Sequence, residues 1–265
     1  QFKANGINAV RIFLFGDLKI GGSFLFEGNE IKFHPNTYKD MDTLLEVAKK
    51  YGIKLIPALF DFQMLDGKTQ DEKGQPLGEH PELITDEARQ VKLLNLVAEF
   101  MRRYGNDRAI FAWDVFNEPE NAKVVEFAKL QEFIVKLIDL VHQNAPGAKV
   151  TLGSLNRDTL VMFWTDSIGN RLDILQFHWF NREGNPLLVY PANYLGVDKP
   201  VIVGEIGPGV DIKSILDTIR KNGYSGGLFW QDEDGNVPMN IPPAVNPAAA
   251  STSKKISDNK AKVIE

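Results

Sequence analysis

Short runs of apolar residues alternate along most of this chain with longer stretches in which apolar residues recur every three or four positions. Short runs predict buried strands, and the wider spacing predicts amphipathic helices. Strands are predicted at residues 8–15, 53–60, 110–117, 149–153, 173–180, 201–206 and 225–231, with a small hairpin at 24–33. Helices are predicted at 37–51, 85–104, 124–145, 157–167 and 211–219, with Thr85 capping the second of them.

Strands that alternate with helices predict an α/β fold with a parallel sheet and helical crossovers. We favour a (β/α)8 TIM barrel, because polar residues end at least five of the strands, as in barrel active sites. A doubly wound open sheet is the alternative. Seven strands are one short of eight, and residues 1–6 look like the end of a helix closed by Gly6. The barrel is therefore expected to lack its first strand in this chain.

The predicted domain boundary lies near residue 237. Residues 1–237 are interpreted as an N-terminally truncated barrel domain. Residues 238–265 are rich in Pro, Ala, Ser and Lys without periodicity, which is typical of a linker or disordered tail. A further domain could follow it. The long polar segment 61–84 is typical of a binding loop or a mobile cover.

Composition narrows the possible functions. The formal net charge of −5 argues against a nucleic-acid partner, and no apolar run is long enough to predict a membrane span. The absence of cysteine excludes disulfides and thiolate metal sites. The four histidines show no spacing that predicts a metal site. We therefore predict neither a metal nor a cofactor.

Two of the predicted strands end on glutamate. The run Ala112–Phe116 leads into Asn117-Glu118-Pro119, and proline cannot continue a strand ladder because it has no N–H. The run from Val201 leads into Gly204-Glu205. In a parallel barrel both glutamates would lie at the edge where ligands bind. Two carboxyl groups at that edge are what hydrolysis of a glycosidic bond requires.

The Asn117-Glu118-Pro119 segment resembles the acid/base motif of clan A glycoside hydrolases, most closely the cellulase-like family five. Glu205 resembles the nucleophile of that family, and the resemblance runs from about Asn5 to Trp230. If the missing strand is counted, the two glutamates end the fourth and seventh strands, as in the family. The resemblance implies a secreted, retaining β-glycoside hydrolase of the cellulase or mannanase type. Its substrate would be a β-linked polysaccharide or oligosaccharide.

The resemblance also implies four substrate-site residues, each with a plainer structural interpretation. Arg11 lies within an apolar strand and needs an anionic partner if it is buried, for which we propose Glu205; otherwise it faces outward. Asn117 would bind the sugar 2-hydroxyl, or serve only as a turn residue. His178 would line the sugar site, or pack in the core. Trp230 would stack on the sugar, or fill the barrel.

Two positions depart from the family pattern. Phe180 stands where the family usually has a tyrosine that bonds to the nucleophile. Asp61, between Phe60 and Phe62, stands where the third strand usually ends on histidine, and we assign it a polar role in the substrate site. These departures leave open a second hypothesis, a catalytically degenerate carbohydrate-binding barrel. A phosphate-binding barrel enzyme is disfavoured, since no Gly-rich loop leads into a helix near the last two strands.

Overall fold

In the computed structural model, parallel strands and helices alternate, and the residues described are 6–16, 18, 24–66, 80–165, 168–180 and 190–230. The predicted tail 238–265, the remnant at 1–5 and most of the polar segment 61–84 lie outside these residues. The strands are β1 Ala9–Phe13, β2 Phe24–Glu27, β3 Glu30–Phe33, β4 Lys54–Asp61, β5 Trp113–Asn117, β6 Val150–Ser154, β7 Leu175–Trp179, β8 Val201–Ile206 and β9 Gly226–Phe229. The helices are α1 Thr37–Tyr51, α2 Glu82–Thr85, α3 Glu87–Tyr104, α4 Phe127–Asn144, α5 Arg157–Thr159 and α6 Ile212–Lys221.

Within the described residues, seven parallel strands form one sheet in the order β1-β4-β5-β6-β7-β8-β9. The two outer strands curve towards each other, so that the rings of Phe13, at the end of β1, and Trp230, just after β9, lie 6.0 Å apart between centroids. The sheet is a nearly closed barrel. This confirms the predicted (β/α)8 barrel lacking one strand, and the open-sheet alternative is wrong.

An apolar floor closes the inside of the barrel. It consists of Ile56, Ala112, Ile174 and Ile202, all buried, with Leu228 packed against them. Side chains two positions apart in a strand face the same side. Asp114 and Gln176, which follow the floor residues Ala112 and Ile174 by two positions, therefore place polar side chains directly above the floor. This polar layer carries the candidate site.

The main core lies between the outer face of the sheet and the helices. Helix α4 buries one face of Leu130, Phe133, Ile134, Leu137, Ile138 and Val141 against it. Each fully buried side chain of this size contributes about 1.5–3 kcal/mol. An aromatic cluster attaches the β2–β3 hairpin to this core, with Phe15 packed edge-on against Phe24 and Phe100.

Several predicted helix ends are wrong. The cap of α3 is Asp86, whose carboxylate accepts hydrogen bonds from the N–H groups of Ala88 and Arg89, whereas Thr85 ends α2. Helix α4 begins at Phe127, and Val124 is exposed before it. The helix predicted at 157–167 is the single turn α5 followed by a wider π-type turn, Leu160–Trp164. Helix ends depend on capping contacts that apolar spacing does not report. Among the described helices, none is long and apolar enough to cross a bilayer.

Candidate active site

Glu118, His178 and Glu205 meet at the carboxyl-terminal mouth of the barrel. One carboxylate oxygen from each glutamate and a ring nitrogen of His178 lie within 4.8 Å of one another. The His178 Nδ1 atom is 2.8 Å from Glu118 Oε1 and 3.7 Å from Glu205 Oε1. The histidine therefore lies between the two carboxyl groups, at the edge predicted from the sequence.

The backbone at Glu118 is bent to aim its side chain into the mouth. Glu118 has φ 41° and ψ 53°, the left-handed region that residues with a Cβ avoid. Its N–H donates to the carbonyl of Gly153 at 2.6 Å, and Pro119 starts a three-ten turn immediately afterwards. Such strained conformations persist where surrounding contacts hold them, often at functional sites.

A β-bulge sets the direction of Glu205. Phe177 lies opposite Val203, but His178 lies opposite Glu205, so that Gly204 is an extra residue in β8. A bulge re-aims the side chains that follow it. Glycine is required there, because a Cβ at Gly204 would lie 2.5 Å from the Gln176 side chain.

Arg11 connects the two carboxylates that face it inside the barrel. Its side chain is 4% exposed, and its Nη1 donates to Glu205 Oε1 at 2.6 Å. This is the partner predicted for Arg11, and its outward-facing alternative is wrong. Its Nε and Nη2 donate to Asp114 Oδ2 at 2.9 and 2.7 Å. Asp114 is fully buried and also accepts hydrogen bonds from Gln176 Nε2 at 2.7 Å and Gly153 N at 3.0 Å.

These contacts determine the charge states in the site. Burial raises the pKa of Glu205 to about 7; the Arg11 charge opposes this, and the Glu118 charge adds to it. Burial alone would lower the pKa of Arg11, but Asp114 and Glu205 raise it above its usual value, so the guanidinium is cationic. Burial lowers the pKa of His178 well below 6.5. His178 is therefore a neutral hydrogen-bond partner at neutral pH.

Both polar atoms of the Asn117 side-chain amide are hydrogen-bonded. Its Oδ1 accepts a hydrogen bond from Arg11 Nη2 at 2.7 Å, and its Nδ2 donates to Asp61 Oδ2 at 2.5 Å. Asp61 also accepts from the N–H of Gln63 at 2.7 Å. Burial raises the pKa of Asp61 to about 6, against the effect of these two donors. Asn117 thus has a defined orientation, fixed by Arg11 on one side and Asp61 on the other.

Trp230 lies at the rim of the mouth. Its side chain is 41% exposed, so it does not fill the barrel interior. The Arg11 guanidinium carbon lies 5.2 Å from the centroid of the Phe13 ring, which in turn contacts Trp230 edge-on. An exposed indole at the rim of the mouth is suited to stacking on a sugar ring. Phe180 packs at the other side of β8, where a Cβ on Gly207 would lie 2.8 Å from its ring.

Three residues of the site were not predicted from the sequence: Asp114, Gln176 and Asn121. Asp114 and Gln176 are polar residues within otherwise apolar strands, and this departure from the strand pattern was the available signal. Asn121 donates from Nδ2 to Glu118 Oε2 at 2.8 Å, and nothing in the local sequence distinguishes it from an ordinary turn residue.

Glu118, His178 and Glu205 also offer three atoms of the kinds that bind metal ions. However, the Glu205 oxygen nearest to His178 already accepts a hydrogen bond from cationic Arg11 at 2.6 Å. A divalent cation at this point would be repelled by that guanidinium. The donor set therefore fits two-carboxylate chemistry better than metal binding.

No family model matches the chain. It is 24% identical to mannan endo-1,4-β-mannosidase 1 of Oryza sativa subsp. japonica, over 86% of this chain and 67% of that protein. It is 25% identical to mannan endo-1,4-β-mannosidase A of Podospora anserina, over 86% of this chain and 70% of that protein.

Solved structures of similar fold include the endo-1,4-β-mannanase from Eisenia fetida, with a TM-score of 0.73 and 22% identity, over 89% of this chain and 76% of that one. The β-1,4-D-mannanase from Cryptopygus antarcticus also has a TM-score of 0.73, with 20% identity, over 91% and 77% of the two chains. The sequence relatives and the barrel fold together confirm the predicted resemblance of this chain to the cellulase-like glycoside hydrolases of clan A.

Proposed function

We propose that this domain hydrolyses internal β-1,4-mannosidic bonds of mannan-type polysaccharides with retention of configuration. Glu205 is the nucleophile and Glu118 the general acid/base. The mannan substrate is carried over from the names of the relatives. We also propose that the protein acts outside the cytoplasm, where such a polymer would be met.

The observation that carries the mechanism is the separation of the two carboxyl groups. Retaining glycosidases hold them about 5–5.5 Å apart, whereas inverting enzymes need about 6.5–9.5 Å to admit a water molecule between carboxylate and sugar. One carboxylate oxygen of Glu118 and one of Glu205 lie within 4.8 Å of each other, which is nearer to the retaining than to the inverting separation and supports direct attack by a carboxylate.

In the first step an oxygen of Glu205 attacks the anomeric carbon while the bond to the leaving sugar oxygen breaks. Glu118 gives its proton to that oxygen. In the second step Glu118 takes a proton from water, whose oxygen attacks the anomeric carbon and displaces Glu205. One water molecule is consumed, and both glutamates return to their starting states.

The surrounding residues have supporting roles in this proposal. Arg11 favours the ionised form of Glu205 and orients its carboxylate, since it donates to Oε1 at 2.6 Å. Asn117 binds the 2-hydroxyl of the sugar at the cleavage point through its remaining Nδ2 hydrogen. Asp61 belongs to the same part of the substrate site, because it holds that amide. His178 supports Glu118, and Trp230 stacks on the sugar.

The proposal is tested by trapping the covalent intermediate. The protein is incubated with 2-deoxy-2-fluoro-β-mannosyl, glucosyl and xylosyl fluorides, digested and examined by mass spectrometry. We expect the mannosyl reagent to label the peptide that contains Glu205. Glu205→Gln should abolish both labelling and mannan hydrolysis, whereas the control Glu126→Gln, at an exposed position before α4, should change neither.

The alternative hypothesis, a carbohydrate-binding barrel without turnover, makes the opposite prediction. In that case no reagent labels the folded protein, and manno-oligosaccharides still bind in isothermal titration calorimetry. A label on a peptide without Glu205 would refute the assignment of the nucleophile but not the reaction class.

A further inference from the structure

The residue three positions after Glu118 folds back onto it. Asn121 ends the three-ten turn Pro119–Asn121, and its N–H donates to the carbonyl of Glu118 at 3.0 Å. In three-ten geometry residues three apart lie on the same side. The side-chain amide of Asn121 consequently reaches the carboxyl group and donates from Nδ2 to Oε2 at 2.8 Å.

The two oxygens of Glu118 therefore face different groups. Oε1 lies 2.8 Å from His178 Nδ1, and Oε2 accepts the Asn121 hydrogen bond. The terminal torsion of a glutamate side chain is soft and roughly two-fold, so a carboxyl group held at one oxygen can still tilt. Contacts at both oxygens define its plane.

Glu120, the residue before Asn121, anchors the three-ten turn to neighbouring elements. Glu120 accepts hydrogen bonds from the Ser154 hydroxyl, from Trp164 Nε1 at 2.6 Å and from the N–H of Leu155 at 3.1 Å. These partners belong to β6, the loop after it and the π-type turn. A carboxylate with three donors is a strong attachment. The hydrogen bonds of Glu120 therefore fix the position of the turn from which Asn121 contacts Glu118.

We propose that Asn121 is a positioning residue for Glu118, a role that rests on the proposed function of Glu118 as acid/base. The amide holds the carboxyl plane while Glu118 delivers its proton. It also stabilises the carboxylate left afterwards, since a donated hydrogen bond favours the charged form. An amide has no proton to give at neutral pH, so Asn121 cannot replace Glu118.

The test compares substrates that need acid assistance with substrates that do not. Kinetics are measured for Asn121→Ala on a manno-oligosaccharide and on its 2,4-dinitrophenyl β-glycoside, whose leaving group departs without a proton. We expect kcat/KM for the oligosaccharide to fall about 10- to 100-fold, in keeping with the loss of a hydrogen bond to a charged group. For the dinitrophenyl glycoside, kcat/KM of the variant should stay within about threefold of the wild-type value, because departure of this leaving group needs no acid catalysis.

A pH profile separates positioning from a general loss of structure. Loss of the donor should move the basic limb of kcat/KM to higher pH, and Asn121→Asp, which places a second carboxylate beside Oε2, should move it further. Asn193→Ala is the matched control, since Asn193 lies exposed on another three-ten turn, Ala192–Leu195. Asn193→Ala should leave kcat/KM for both substrates and the pH profile unchanged.

Glu118→Ala distinguishes failure of this inference from failure of the proposed function. If Glu118 is the acid/base, Glu118→Ala loses oligosaccharide hydrolysis, and azide restores kcat on the dinitrophenyl substrate. If Glu118→Ala behaves in this way but Asn121→Ala has wild-type kinetics, the role of Asn121 is overturned and the role of Glu118 stands. Equal losses on both substrates, with an unmoved pH profile, would also overturn it. Full activity of Glu118→Ala would instead refute the proposed function.

Discussion

Replacement of Arg11 by methionine tests whether the barrel interior depends on one cation shared by two carboxylates. The guanidinium is 4% exposed and donates to Asp114, Glu205 and Asn117 at 2.6–2.9 Å. Methionine is long enough to occupy the space of the Arg side chain but cannot donate. The change therefore leaves two buried carboxylates without their counter-charge.

Breaking a buried ion pair by removing one partner costs about 3–5 kcal/mol, a large part of the roughly 5–15 kcal/mol by which domains are stable. The loss should depend on pH. Without Arg11 the pKa of Glu205 rises further above its ordinary 4.5, so the folded protein holds the proton more tightly than the unfolded chain. Stability of the variant therefore falls as pH rises, and the loss should be larger at pH 8 than at pH 6.

The free energy of unfolding is measured by urea titration of tryptophan fluorescence at both pH values. Arg171→Met is the control, because Arg171 pairs with Asp139 on the surface, where ion pairs contribute about 0–1 kcal/mol. Adding Asp114→Asn to Arg11→Met should recover part of the stability but no activity, since Glu205 still lacks its partner. A loss of stability below about 1 kcal/mol, equal at both pH values, would show that the two buried carboxylates do not depend on Arg11.

Three further predictions concern the same site. Gly153→Ala should lower the free energy of unfolding by about 1–3 kcal/mol in the same urea titration, because its Cβ would lie 2.8 Å from Arg11 Nη2. Gly226→Ala is the control and should lower it less, because no atom lies within 4 Å of a Cβ at that position. The acid limb of kcat/KM should lie near pH 7, well above 4.5, because the nucleophile must be ionised and burial raises the pKa of Glu205 to about 7; a limb below pH 5 in the measured profile would contradict this. Trp230→Ala should lower kcat/KM about threefold to tenfold with little change in Tm, because its side chain is 41% exposed.

Much of the architecture could be predicted from the sequence. Within the part of the chain that the structure describes, apolar runs placed the seven parallel strands within a few residues, because burial on both sides of a parallel strand requires a continuous apolar run. Strand ends also located the glutamates. Parallel strands bring their carboxyl ends to one edge, so Glu118 and Glu205 could be expected to meet before any contact was known.

The sequence could not supply the partners of buried polar groups. Arg11 and Asp114 are separated by 103 positions, and whether Arg11 faces inward depends on the register of β1 against β4. A shift of one residue would turn it outward. Nor could local pattern show the bulge at Gly204, the left-handed backbone of Glu118 or the reach of Asn121.

The residues buried in strands and helices, and the barrel edge that carries the two glutamates, could be derived from the order of amino acids. The position of Arg11 between Asp114 and Glu205, and the contacts of Asn121 and His178 with opposite oxygens of Glu118, arise only in the folded chain. Burial follows from the apolar character of neighbouring residues along the chain, whereas charge pairing depends on distances of a few ångströms between residues remote in sequence.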